Sequence, residues 1–86
     1  MHGHDFFVLG HGMGLWTGSD EQKASLNLEN PPLRDSIMVI NDEHHPEEAG
    51  GCGWTVIRFT ANNPGVWYFH CHQAWHVIMG MNAAYQ

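Results

Sequence analysis

The stretch HCHQAWH at positions 70–76, followed by Gly80-Met81, decides most of what this sequence predicts. If the stretch begins in an extended conformation, successive side chains point to opposite faces of the strand. His70 and His72 then share one face, and Cys71 points to the other. One short strand can therefore serve two metal centres at once.

The residue types in this stretch are those of copper sites. Cys71, His76 and Met81 supply a thiolate, an imidazole and a weak axial thioether, which are the ligands of a blue-copper electron-transfer centre. Met79 is a nearby competitor for the thioether position. The paired histidines on the opposite strand face suit a second centre that takes its electrons through Cys71.

Zinc is the alternative metal, because tetrahedral zinc sites with mixed Cys and His ligands are common. Zinc motifs usually place their ligands in pairs separated by a few residues, whereas here three consecutive positions carry ligands. Three consecutive side chains of an extended strand cannot converge on one ion. The pattern thus favours two adjacent centres over one zinc site, and over a Cys and a Met that merely fill a core.

Length and charge exclude several functions. Eighty-six residues permit one small domain, whose stability we expect to be marginal. Three Lys plus Arg against nine Asp plus Glu give a net charge of −6, which argues against a nucleic-acid partner. The sequence has no apolar run long enough to span a membrane. No signal peptide is expected within these residues, since Met1 is followed at once by a His-Gly-His motif.

Short β-prone runs separated by turn residues predict an all-β fold, an antiparallel sandwich or Greek-key barrel. A polar loop with four acidic residues is expected over 41–53, and it contains Cys52 between two glycines. Helical turns are expected near 20–24 and over 73–77. We predict extended segments over 6–9, 35–40, 54–60, 66–71 and 81–85, with 54–60 half-buried because its apolar residues alternate.

Two stretches carry a resemblance to a known family. NPGVWYFHCHQAWH at 63–76 resembles the C-terminal copper motif of multicopper oxidases, most closely of fungal (ascomycete-type) laccases. MHGHDFFVLG at 1–10 resembles the tail of the family's other third-domain motif, H-P-x-H-L-H-G-H. NPPLRD at 30–35 and WTVIRF at 54–59 fit the connecting strands. The resemblance implies that residues 1–86 are part of the C-terminal, plastocyanin-like domain, an incomplete cupredoxin-like Greek-key β-sandwich.

The resemblance also implies that the chain is a fragment. Met1 falls where the motif has Leu, so the two earlier histidines of the motif are missing. The remaining cupredoxin domains of the parent chain would then be its partners, and the parent would be secreted to the extracellular space. A natural minimal cupredoxin is a poorer explanation, because such a domain supplies all its own blue-copper ligands.

By the same resemblance, the copper ligands divide into two sets. Cys71, His76 and Met81 would bind the type 1 copper, while His2, His70 and His72 would be type 3 ligands in the type 2/type 3 trinuclear cluster. Gly3 would let the backbone pass close to that cluster. His4 matches a motif histidine that does not bind copper in the family, so we expect it to support a ligand or to pack.

The function implied by the resemblance is that of a laccase-like multicopper oxidase. Such an enzyme oxidises phenols or aromatic amines in one-electron steps and reduces dioxygen to water. His76 would be the entry point for substrate electrons and Cys71 would receive them, while His70 and His72 would lead to the cluster. The alternatives are a small copper-binding electron-transfer module without oxidase activity, and a fragment with no function of its own.

Overall fold

A computed structural model of the chain describes residues 1–40 and 53–86. Within these residues the chain forms two small antiparallel sheets and two five-residue helices, which confirms the all-β class. The first sheet has the strand order β2-β1-β3, and the second pairs β4 with β5. The elements are β1 (Phe6–Met13), α1 (Asp20–Ala24), β2 (Leu33–Arg34), β3 (Gly53–Arg58), β4 (Trp67–His70), α2 (Ala74–Ile78) and β5 (Asn82–Tyr85).

The buried core lies along β1. Phe6, Val8 and Leu9 are the buried hydrophobic residues of the described part of the chain. Burial of two consecutive residues breaks the alternation of a regular strand. The cause is a register shift against β3 between Val8 and Gly10, which leaves Leu9 as an extra residue. A β-bulge of this kind turns an additional side chain toward the core.

The second sheet is a two-stranded ribbon that carries the predicted metal ligands at one end. Its ladder runs from Trp67 opposite Tyr85 to His70 opposite Asn82. Alternation along β4 places Tyr68 and His70 on the same face. On the other side of the ribbon, Phe69 of β4 and Tyr85 of β5 line a hollow together with Met1, Ile57 of β3 and Phe59.

Most elements fall where the sequence predicts them. Both helical turns are confirmed, and the segments predicted over 54–60, 66–71 and 81–85 correspond to β3, β4 and β5 with small changes at their ends. The alternating burial predicted for 54–60 holds only over 57–60, where Ile57 and Phe59 are half-buried and Arg58 and Thr60 are exposed, whereas residues 53–57 are all half-buried. Too little of the described chain packs on either side of β3 to bury one face completely. The acidic loop over 41–52, with Cys52, lies outside the described residues.

Two strand predictions were wrong. The first strand does not stop at position 9, because Gly10 and Gly12 stay in the ladder opposite β3. A Cβ atom on Gly12 would lie 2.5 Å from the Trp54 ring, so the glycine makes room for the indole. The strand predicted over 35–40 is not formed. The chain pairs with β1 only at Leu33–Arg34, and the apolar side chains of 37–40 are exposed.

The rest of the apolar surface is open. Seventeen large hydrophobic side chains of the described residues are exposed, against three that are buried, so the fold has a very small core. This balance agrees with the marginal stability expected from the chain length. None of the helices in the two described ranges is long and apolar enough to cross a membrane.

Truncation of Phe6 should be the most damaging single change to the fold. Phe6 is 2 % exposed, and Phe6→Ala is expected to cost about 3–5 kcal/mol of the free energy of unfolding through lost burial and a cavity. Phe7→Ala is the matched control, since Phe7 is 38 % exposed and should cost less than about 2 kcal/mol. Urea unfolding followed by tryptophan fluorescence measures both. Equal costs would show that β1 does not hold the core.

Candidate metal centres

The first candidate centre lies where β4 leads into α2. The Cys71 sulfur is 3.4 Å from Nδ1 of His76, and both side chains are half-buried. Metal–sulfur and metal–imidazole bonds are about 2.3 and 2.0 Å long, so two donors at this separation can bind one ion. The structure therefore brings together two of the three ligands predicted for the type 1 copper.

A Schellman motif at the end of α2 turns the chain back toward this pair. Gly80 adopts a left-handed conformation with a φ of 102°, which a glycine tolerates without the steric cost of a Cβ. The Gly80 amide donates to the carbonyl of Val77 at 3.0 Å, and the Met81 amide donates to the carbonyl of His76 at 2.9 Å. These two bonds are the ones that define the motif. The glycine thus fixes Met81 beside the residue that carries the imidazole.

A further backbone bond ties Met81 to the cysteine. The Cys71 amide donates to the Met81 carbonyl at 3.1 Å. Two hydrogen bonds accordingly link the backbones of all three predicted type 1 ligands. The side chain of Met81 is 58 % exposed and that of Met79 is 83 % exposed, so both thioethers face solvent in this chain. The ligand role of Met81 stays a prediction.

The second candidate centre joins the start of the chain to the end of β4. Nε2 of His2 lies 3.0 Å from Nε2 of His70, and the two rings are stacked with centroids 5.2 Å apart. Nδ1 of His70 lies 2.7 Å from the Cys71 carbonyl. Since a carbonyl only accepts, Nδ1 carries the hydrogen and the Nε2 lone pair is directed at His2. Histidines that bind metals characteristically donate their other nitrogen in this way.

The backbone near His2 is held by β4 and by the turn before it. The His2 amide donates to the Tyr68 carbonyl at 3.1 Å. Gly3 follows in a left-handed conformation with a φ of 78°, and a Cβ atom there would come within 2.3 Å of the Trp67 ring. Asn63 donates its side-chain amide to the Gly3 carbonyl at 2.9 Å. Gly3 thus makes room for an indole ring, and its approach to the copper cluster stays a prediction.

His72 is placed differently from the prediction. Strand β4 ends at His70, and the exposed His72 lies in a bend beyond it, so the extended conformation assumed for all three positions is wrong. The reason is local, because the Cys71 amide bonds back to Met81 and the Cys71 carbonyl is occupied by the His70 ring. No three His, Cys, Asp or Glu side chains of the described residues lie close enough together to hold an ion. The structure contains two ligand pairs.

Sequence reasoning missed the tyrosines around the second pair. Tyr68 stacks on His70 with ring centroids 4.7 Å apart, and its place on that face was readable from the alternation of β4. Tyr85 donates its hydroxyl to the His2 carbonyl at 2.7 Å. No local pattern indicates this contact, because its two residues lie 83 positions apart in the sequence.

Comparison with known proteins places the chain in a family. The model of the multicopper oxidase family matches residues 1–86, the whole chain. The chain belongs to the multicopper oxidases. It is 48 % identical to an L-ascorbate oxidase of Cucurbita maxima over 85 residues, which are 99 % of the chain and 13 % of that protein. It is 44 % identical to an L-ascorbate oxidase of Nicotiana tabacum and 38 % identical to Laccase-15 of Oryza sativa subsp. japonica, again over 99 % of the chain.

These relatives refine the prediction from the sequence. The chain spans only 12–13 % of their lengths. They are plant proteins, which gives no support to the ascomycete type. Membership of the multicopper oxidases confirms the incomplete cupredoxin-like all-β fold and copper as the cofactor. The donors present fit that metal, since thiolate and imidazole are the ligands of blue-copper sites. Zinc, the alternative metal, is not supported.

Substitution of Gly80 should separate backbone strain from damage to the first pair. Gly80→Ala and Gly14→Ala each force alanine into a left-handed conformation, at φ 102° and 80°, and in both cases the new Cβ meets open space. Each should cost about 1–3 kcal/mol of the free energy of unfolding. Only Gly80→Ala should also weaken cobalt(II) binding at the Cys71–His76 pair, because the Met81 backbone links those two residues.

The measurement for this prediction is a cobalt(II) titration followed by the thiolate charge-transfer absorption, with urea unfolding of both variants alongside. If Gly14→Ala weakens cobalt binding as much as Gly80→Ala, the loss comes from general destabilisation and the Schellman motif has no special part in the site.

Proposed function

We propose that these 86 residues are part of the C-terminal, plastocyanin-like domain of a multicopper oxidase that couples one-electron oxidation of an organic reductant to reduction of dioxygen to water. The observation that carries the proposal is the junction of the two ligand pairs. Cys71 belongs to one pair and His70, its neighbour, to the other, and the His70 ring donates to the Cys71 carbonyl at 2.7 Å.

In this proposal each pair is part of a copper site. Cys71, His76 and Met81 would hold the type 1 copper, and His2, His70 and His72 would be ligands of the trinuclear cluster. Copper, when bound there, supplies the one-electron redox chemistry that these side chains lack. Since the chain spans only 12–13 % of its relatives' lengths, we propose that the other ligands belong to the rest of the enzyme, and that they include the histidines of an H-P-x-H motif and of a further cupredoxin domain.

The chain itself provides the connection between the two sites. From the Cys71 sulfur, the covalent path runs through one peptide unit to the His70 ring. The hydrogen bond from that ring to the Cys71 carbonyl shortens the path and fixes the ring orientation. A metal ion bound at Nε2 of His70 would strengthen this hydrogen bond, and the bond would in turn keep Nε2 directed at the cluster.

Phenols and aromatic amines are the reductants that we propose first. The Trp75 side chain, next to His76, is 77 % exposed and offers a flat aromatic surface on which a planar ring can stack. Ascorbate is the second candidate, favoured by the higher identity to L-ascorbate oxidases, 44–48 %, than to laccases, 38 %. By resemblance to the family, we propose an extracellular location for the parent enzyme.

A plain electron-transfer module is the competing function. It would need the Cys71–His76 pair but not the second pair, in which His2 and His70 face each other at 3.0 Å. A second pair of imidazoles, one of them on the residue next to Cys71, therefore supports an oxidase over a simple electron carrier.

The colour of the copper-loaded protein tests the ligand assignment. A type 1 site needs a thiolate and two imidazoles, and the first pair supplies one of each, so the 86-residue chain should bind copper without an intense blue band. A chain extended upstream through the whole H-P-x-H-L-H-G-H motif should turn blue, and Cys71→Ser should remove the colour. Visible absorption and electron paramagnetic resonance measure this. An intense blue band from the 86-residue chain would mean that the ligand count is wrong.

Turnover tests the division of labour between domains. The copper-loaded 86-residue chain should consume no oxygen with a phenol or with ascorbate, because it holds only part of each site. A protein that joins the chain to the remaining cupredoxin domains should consume oxygen with these reductants. There, Trp75→Ala should lower kcat/KM for a phenol about tenfold, the value of one aromatic stacking contact, with a smaller effect for ascorbate. Oxygen consumption by the isolated chain that is lost in Cys71→Ser would contradict the proposal.

A further inference from the structure

We propose that Tyr85 is a positioning residue, whose hydroxyl, braced by His4, holds the His2 backbone so that the His2 imidazole faces that of His70. This role of Tyr85 rests on the proposed function only in that the ion held by the His2–His70 pair would be copper.

Both backbone groups of His2 are bound to the β4–β5 ribbon that carries His70. The His2 amide donates to the Tyr68 carbonyl of β4 at 3.1 Å, and the His2 carbonyl accepts from the Tyr85 hydroxyl of β5 at 2.7 Å. One ribbon thus fixes the peptide groups on each side of His2 and also bears the partner ring. The 3.0 Å separation of the two Nε2 atoms depends on this common support.

The Tyr85 hydroxyl is itself oriented by a second histidine. Nδ1 of His4 lies 3.0 Å from the hydroxyl oxygen. The single hydroxyl proton cannot serve both neighbours, and the His2 carbonyl can only accept it, so His4 donates from Nδ1. This assignment leaves Nε2 of His4 as a lone pair, which is buried and has no partner within the described residues. A buried acceptor without a partner is tolerated better than a buried N–H.

Packing around the phenol holds it in place without the hydroxyl. The Tyr85 ring lies 6.0 Å from that of Phe59 and 5.8 Å from that of His4, and its residue stands opposite Trp67 in the ladder. Phenylalanine at this position would keep all the ring contacts. The hydroxyl therefore has one separable task, which is to fix the His2 carbonyl. His4, the motif histidine to which no ligand role is assigned, thus helps to position His2 by bonding the same hydroxyl.

Removal of one oxygen atom tests the proposal. In the 86-residue chain labelled with nitrogen-15 at histidine, Tyr85→Phe deletes the hydroxyl and keeps the ring. Tyr68→Phe is the matched control, because it deletes the same atom from a tyrosine that stacks on His70 but holds His2 through its main-chain carbonyl. Two quantities are measured by nuclear magnetic resonance. One is the nuclear Overhauser effect between the His2 and His70 rings without metal, and the other is zinc(II) affinity at each pair.

Tyr85→Phe should lose the Overhauser effect between the two rings and weaken zinc binding at His2 and His70 about tenfold, the usual cost of losing a group that orients a metal ligand. Its affinity at His76 should not change, and the His4 ring should no longer be held as the Nδ1–H form. Tyr68→Phe should match the wild type in all of these readouts.

Three results would overturn the proposal. They are an Overhauser effect and zinc affinity in Tyr85→Phe equal to the wild type, an equal loss at His76, and the absence of the ring contact from the wild type. The metal-free readout separates this proposal from the proposed function. If Tyr85→Phe loses the contact between the His2 and His70 rings but the parent protein has no oxidase activity, the proposed function is refuted and the role of Tyr85 stands.

Discussion

The hydrogen bond from the Cys71 amide to the Met81 carbonyl is the contact on which the metal-binding end of the molecule depends. It closes a loop of eleven positions, 71–81, at the end of the β4–β5 ladder. Inside that loop, the Schellman motif at Gly80 returns the chain so that Met81 also bonds His76. Without the closure, the turn after α2 would no longer be joined to Cys71 by a hydrogen bond, and the helix that bears His76 would lose that support.

This reliance on backbone bonds follows from the small core. Only Phe6, Val8 and Leu9 of the described residues are buried, and all three lie in the other sheet. Packing therefore contributes little to the position of the ligands. The ligands are positioned instead by hydrogen bonds between peptide groups, by the left-handed conformations of Gly3 and Gly80, and by the Tyr85 hydroxyl. Such local devices hold a geometry well but add little to the free energy of unfolding, about 1 kcal/mol each.

The same loop accounts for how two adjacent residues can serve different sites. The Cys71 amide, in the peptide that joins it to His70, donates to Met81, and the Cys71 carbonyl, in the peptide that joins it to His72, accepts from the His70 ring. With both backbone groups of Cys71 bonded, its sulfur lies beside His76 while Nε2 of His70 faces His2. The separation of the sites thus depends on the backbone of one residue, Cys71.

Sequence reasoning named Cys71 and His76 together because their chemistry and spacing are local, and their role as copper ligands stays a prediction. Cys71 and His76 come together through one short helix, and the glycine that ends it is visible in the sequence. The partnership of His2 with His70 followed from the family resemblance, since 68 positions separate them. The strand predicted over 35–40 failed because an apolar run does not reveal whether a partner strand exists. The Tyr85 contact was missed because a side-chain bond between distant residues leaves no periodic signal.

Cadmium-113 nuclear magnetic resonance of the 86-residue chain loaded with two equivalents of cadmium tests the central claim, that the bonded backbone of Cys71 divides the ligands into two separate sites. Cadmium accepts both thiolate and imidazole ligands and reports each bound ion as its own signal. The account predicts two signals, one with scalar coupling to the Cys71 β-protons and one coupled only to the imidazoles of His2 and His70. A single signal coupled to Cys71, His2 and His70 together would contradict it.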